Sequence, residues 1–207
     1  MIYIVIGAAR TGSMWLCSLL ADNSDLIWSR SDQREEVYSA IQSGIDHKKD
    51  ILIHSHDKEL VNTLGLSYAD VTLIISKRRD LFECVMSTII SQKTEEFAFG
   101  AYTYRQPEPF SYDPNDFLRI CAYKRNWYND IDLSKPYYKI VTVYHEDMIV
   151  QHLKYITVLG LNKESIKINN KSPYHYTDWV SNWAELYQLY YENYLDNHLV
   201  EVKRSAL

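Results

Sequence analysis

The sequence of 207 residues predicts an α/β domain in three layers, a central parallel sheet with helices on both faces. Three observations predict it. Short continuous apolar runs at residues 2–6, 51–53 and 71–75 read as strands buried on both sides. Between them lie segments whose apolar residues recur at helical spacing. The two kinds alternate as parallel strands joined by crossover helices do. The length suits one well-packed domain and is short for two, so residues 1–207 are read as a single domain.

Residues 2–15, IYIVIGAARTGSMW, organise the rest. Apolar residues run into Gly7, a short polar loop follows, and Trp15, Leu16, Leu19 and Leu20 recur along a helix that starts near Gly12 and runs to about Asn23. Residues 26–28 form a short strand, and residues 31–43 a helix with Glu35 and Glu36 near its start. Residues 50–56 are a buried strand whose polar carboxyl end opens toward the site. Residues 58–64 read as helical and 71–76 as a further buried strand. The basic run Lys77-Arg78-Arg79 follows, then a helix over 81–93. Residues 97–114 carry aromatics, three prolines and little periodicity, which marks the long loop. A helix over 116–131 and a last strand over 138–144 come next. His145-Glu146-Asp147 then leads into a helix ending near Gly160, with Glu146 or Asp147 expected to cap it. Residues 163–176 are basic and irregular, and 179–195 form an amphipathic closing helix.

Composition narrows the function classes. Nearly half the residues are hydrophobic and the charges are mixed in sign, as in an ordinary soluble protein. A net charge of −5 argues against a nucleic-acid surface while leaving room for a local basic pocket. Cys17, Cys84 and Cys121 have no pairing or metal-ligand spacing and read as buried thiols in a reducing compartment, the cytoplasm. The apolar start is too short for a signal peptide, and no stretch approaches a membrane span, so no membrane partner is expected. The eighteen tyrosines read mostly as amphipathic core residues.

The loop carries the chemistry. A strand, a tight turn and a helix start point backbone N–H groups and the positive end of the helix dipole at one spot, where phosphate is the expected guest. Gly7 and Gly12 keep the glycine spacing of a Walker A loop, yet Ser13 and Met14 stand where that loop has Lys and Ser/Thr. Metal–nucleotide work needs the lysine on the terminal phosphates and the hydroxyl on Mg²⁺. Here the cation sits inside the loop as Arg10, whose forked guanidinium suits a phosphate directly.

Arg10-Thr11-Gly12-Ser13-Met14-Trp15-Leu16 resembles the 5′-phosphosulfate loop of the sulfotransferases that use 3′-phosphoadenosine 5′-phosphosulfate, with Met14 where a second hydroxyl is usual. Arg79, followed eight residues later by Ser87, resembles that family's 3′-phosphate motif, with Leu81 in place of a common proline. His54-Ser55-His56 resembles the Lys-Thr-His of the cytosolic branch, whose histidine is the general base. Tyr144-His145-Glu146-Asp147 resembles a Tyr-Glu-Asp-Leu with His145 inserted, and residues 180–186 resemble the C-terminal Asn-aromatic-Glu-Leu segment. The matches run in the family's order over most of the chain. The Arg-Lys-Gly loop of the cytosolic branch has no counterpart, which aligns the chain with the bacterial and carbohydrate branches, and Lys163, Lys167 and Lys171 lie where it would be.

The resemblance implies a P-loop-like fold and transfer of a sulfuryl group to a hydroxyl of a carbohydrate or small metabolite, with no metal. It implies Arg10, Thr11, Gly12, Ser13, Met14 and Trp15 on the 5′ side, Arg79 and Ser87 on the 3′-phosphate, and His56 as base. Glu36 is the rival base, as in some bacterial members; read from the residues alone, it is a charge that suits a helix start. Two alternatives stay open, a nucleoside or small-molecule kinase and a non-catalytic nucleotide-binding relative. Acceptor identity and oligomeric state are open at this stage.

Overall fold

The computed structural model describes residues 1–22, 25–29, 33–94, 108–148 and 175–195. The chain forms two compact units, residues 1–79 with 128–169 and residues 80–127 with 170–207.

The first unit holds a five-stranded parallel sheet with helices around it. In chain order it runs β1 (Ile2–Ile6), α1 (Ser13–Asp22), β2 (Ile27–Ser29), α2 (Arg34–His47), β3 (Ile51–Ser55), α3 (Leu60–Thr63), β4 (Val71–Lys77) and β5 (Lys139–Tyr144). The strand order is β2-β3-β1-β4-β5, and every pairing is parallel. The chain leaves β1 toward one edge and later returns to its other side, so the direction of winding reverses beside β1. Open α/β sheets bind ligands at such a switch, outside the carboxyl ends of the strands.

The central strands are apolar without alternation because both faces are covered. Tyr3, Val5, Leu52, Ile74, Val141 and Val143 share one face and pack against Leu16, Cys17, Leu19 and Leu20 of α1. Ile51 belongs to the opposite face, and α2 lies on it so closely that a Cβ at Gly44 would overlap its side chain. Helices α1 and α2 therefore cover opposite faces, as two right-handed crossovers running in opposite directions along a sheet require.

Three boundaries in this unit differ from the sequence reading. Helix α2 begins at Arg34 instead of 31 and runs on to His47. Its end is set by Lys48, which adopts a left-handed φ of 54°, with Lys48 N–H donating to Ile45 O (3.2 Å) and Lys49 N–H to Gly44 O (2.9 Å). This is the paired hydrogen bonding that usually ends on glycine. Lys48→Gly is accordingly expected to stabilise the chain by about 0.5–1 kcal/mol, read as a rise in thermal midpoint. The segment expected to be helical over 58–64 keeps only Leu60–Thr63. Residues 145–148 are helical, so Glu146 and Asp147 lie inside a helical turn instead of ahead of one.

The second unit is helical: α4 (Leu81–Thr94), α5 (Pro114–Asn126), α6 (Tyr176–Trp179) and α7 (Trp183–Tyr190), which widens into a π turn over Tyr191–Leu195. Phe82 is its centre, with the rings of Phe117, Tyr176, Tyr187 and Tyr190 at 5.9, 5.4, 5.0 and 5.5 Å. Helix α5 starts at Pro114, assigned above to the loop. Asp113 caps it by accepting from Asn115 N–H (2.8 Å) and Asp116 N–H (3.1 Å), and proline suits the first helical position. The helix tightens into a 3₁₀ turn over Trp127–Asp130 before reaching 131. The closing helix is broken. Between α6 and α7, Asn182 donates to Tyr112 O (2.9 Å) and accepts from Tyr112 N–H (3.0 Å), while Val180 bridges Phe110.

No helix among the described residues is long and apolar enough to cross a membrane. All three cysteines are buried, and no disulfide joins them. The helix expected to end near Gly160, the lysines at 163, 167 and 171, and residues 97–107 of the long loop lie outside the described residues.

Candidate functional site

Residues 7–12 turn from β1 into α1 at the carboxyl edge of the sheet. Gly7 lets the loop double back: a Cβ there would stand 2.6 Å from Thr11 Oγ1 and 2.9 Å from the Ser76 carbonyl oxygen. The Thr11 hydroxyl donates to Ala8 O (2.8 Å), closing the turn, and Ser76 Oγ donates to Thr11 O (3.2 Å), fastening it to β4. Arg10 and Gly12 both have positive φ, 67° and 84°. For arginine that conformation costs on the order of 1 kcal/mol, a strain that concentrates at functional sites.

Gly12 caps α1. The first intrahelical bond runs from Leu16 N–H to Gly12 O (2.9 Å), which leaves the amides of Ser13, Met14 and Trp15 ahead of the ladder. No acidic residue occupies the first turn, so nothing within the helix offsets the positive end of its dipole. The arrangement suits an anion chemically.

Two strand ends bring imidazoles to this loop. His56, exposed just past β3, has Nδ1 2.6 Å from Gly7 O. A carbonyl only accepts, so Nδ1 carries the proton, and in the neutral ring Nε2 is the basic nitrogen. His54, 7 % exposed on β3, places Nε2 2.8 Å from Ser13 Oγ. The two rings meet edge to face at 4.9 Å. His145, just past β5, packs on Gly12 so closely that a Cβ there would overlap its Nδ1, and it meets Trp15 edge to face at 5.5 Å.

The basic run after β4 is held by acids from the turn after β5. Arg79 forms a forked pair with Asp147, one arm through Nη1 and the other from Nη2 to Oδ2 at 2.7 Å. Its backbone N–H donates to Glu146 (3.1 Å), and its guanidinium lies over the Tyr144 ring at 4.2 Å. The Asp147 hydrogen bond, with the charges of Asp147 and Glu146, raises the Arg79 pKa. Glu146 and Asp147, expected to cap the helix after β5, form this clamp on a neighbouring strand end. Opposite charges on adjacent parallel strands supply the reason. Two of the guanidinium's five N–H donors face Asp147, and the side chain is 52 % exposed.

Of the residues singled out from sequence, Arg10, Thr11, Gly12, Ser13, Met14 and Trp15 form the loop and the start of α1, and His56 is fastened to that loop through Gly7. Glu36 is exposed on the first turn of α2, the helix after the edge strand β2. Arg79 ends the β4 segment of the first unit, whereas Ser87 is half-buried on α4 of the second. Sequence reasoning missed Ser76, the His54–Ser13 pair and the seat of His145. Two signals were present: a hydroxyl at the last turn of a buried strand, and a histidine where the Tyr-Glu-Asp pattern has none.

Searched against models of known families and against curated proteins, the chain matches none.

Proposed function

We propose that the protein is a sulfotransferase that moves a sulfuryl group from 3′-phosphoadenosine 5′-phosphosulfate to a hydroxyl of a carbohydrate or small metabolite. The observation that carries this reading is a base tied to an anion loop: His56 donates from Nδ1 to the carbonyl of Gly7, the first loop residue. Its Nε2 takes the acceptor's hydroxyl proton, the acceptor oxygen bonds to sulfur, and the bond from sulfur to the phosphate oxygen breaks. The negative charge left on the 5′-phosphate is met by Arg10 and the amides at the start of α1. Little covalent chemistry falls to the protein, which aligns the two substrates and stabilises charge.

Arg79 is assigned to the 3′-phosphate, with its remaining N–H donors on the anion and Asp147 holding its planar fork in place. A kinase reading needs a lysine and a metal-binding hydroxyl at positions 13 and 14, where this loop has Ser13 and Met14. Calorimetry with 3′-phosphoadenosine 5′-phosphate tests the proposal. The wild-type chain should bind it, and Arg10→Ala should weaken binding about 10- to 100-fold, the loss of a forked charged contact. A wild-type chain that fails to bind it rejects the reading; binding without sulfate transfer to any hydroxyl acceptor marks a non-catalytic relative.

A further inference from the structure

A buried serine and a buried histidine face each other at the first position of the loop's helix. Ser13 is 3 % exposed and His54 is 7 % exposed, and Ser13 Oγ lies 2.8 Å from His54 Nε2. Ser13 opens α1, and its hydroxyl has one proton to give. Where His54 Nε2 bears no proton, the serine must donate to it and keeps lone pairs for any other neighbour. Where Nε2 is protonated, the histidine donates to Oγ and the serine proton is released for another acceptor. The same hydroxyl thus offers a donor in one state and a lone pair in the other.

We infer that His54 is a positioning residue that sets the polarity of the Ser13 hydroxyl, and with it the affinity of the loop for an anion. This rests on the proposed function only in taking the anion to be the nucleotide's 5′-phosphate. Protonated, His54 turns Ser13 into a donor at the N-terminus of α1, beside amides that already favour negative charge. Unprotonated, with its single proton on Nδ1, it leaves oxygen lone pairs there, which repel the phosphate.

Ring, hydroxyl and apolar groups face His54. On its own segment His56 meets it edge to face. From α1 comes Ser13. From β1 its register partner is Val5, which carries no charge. Arg10 is the charged residue of the loop itself.

The test is the dissociation constant of 3′-phosphoadenosine 5′-phosphate between pH 8.5 and 5 for wild type, His54→Gln, Ser13→Ala and the double variant. A glutamine amide carries both a donor and an acceptor and does not titrate, so His54→Gln makes the contact with Ser13 independent of pH. Protonation of the nucleotide's own phosphates acts on all four proteins alike and cancels in ratios.

The ratio of wild-type to His54→Gln dissociation constants should fall about tenfold from the alkaline to the acid end, the worth of one hydrogen bond to a charged group. In the Ser13→Ala background the same ratio should stay flat within about twofold, because the hydroxyl that reports the histidine's state is gone. A flat ratio with Ser13 present, or a pH slope that survives Ser13→Ala, overturns the inference. If His54→Gln fails to fold, the wild-type to Ser13→Ala ratio serves instead: a fall of about tenfold toward acid is expected, and a flat ratio overturns the inference. Absence of wild-type binding at every pH rejects the sulfotransferase reading itself, whereas binding with no such slope rejects only the role given to His54.

Discussion

His56→Ala is expected to lower turnover about 10²–10⁴-fold, the usual worth of a positioned general base. Alanine also removes the hydrogen bond to Gly7 O, so a fall in rate alone does not separate base from anchor. His56→Asn separates them, because the asparagine amide can donate to the carbonyl where Nδ1–H does, while nothing replaces Nε2. Both variants should lose turnover to a similar extent. Binding of 3′-phosphoadenosine 5′-phosphate should stay within about threefold of wild type in His56→Asn, since the loop keeps its tie. Glu36→Ala, at an exposed first-turn position, should leave turnover near normal and lower stability by about 0.3–1 kcal/mol through the helix dipole. Normal turnover in His56→Asn with loss in Glu36→Ala would transfer the base to the carboxylate.

The second large effect lies at Gly12. Two described glycines have positive φ, Gly12 at 84° and Gly65 at 63°, and their surroundings differ. Nothing lies within 4 Å of a Cβ at Gly65, so Gly65→Ala should cost about 1 kcal/mol, from backbone conformation alone. At Gly12 the same methyl group overlaps His145 Nδ1, adding a packing conflict of about 1–3 kcal/mol and displacing the helix start on which the proposed anion site depends. Gly12→Ala should therefore destabilise the chain by about 2–4 kcal/mol in chemical denaturation and abolish measurable nucleotide binding. His145→Ala in the Gly12→Ala background should recover the packing share and leave the backbone share, a coupling of at least about 1 kcal/mol. Equal losses at Gly12 and Gly65, with no recovery, would show that His145 does not set the cost.

Much of the fold was legible in the chain. Residues 2–6, 51–53 and 71–75 form short runs that are apolar almost throughout, as a strand covered on both faces requires, so a parallel sheet with crossover helices followed. The loop was legible because Gly7, Arg10 and Gly12 act through local backbone geometry, which nearby residues dictate. Helix ends were read less well. Lys48 takes a left-handed cap that composition assigns to glycine, and Asn182 breaks the closing helix by bonding to Tyr112, seventy residues earlier.

What the sequence determined by itself, then, was an α/β unit with a glycine-framed loop opening its first helix, because strand burial and turn chemistry are carried by adjacent residues. Tertiary structure alone decided which polar groups meet at that loop. Parallel packing points the carboxyl ends of β3, β4 and β5 to the same edge of the sheet as that of β1, so His54 reaches Ser13, Ser76 reaches Thr11 and His145 rests on Gly12. Register between strands fixes these partners, and register is set by the shared hydrophobic core, which no local stretch of sequence contains.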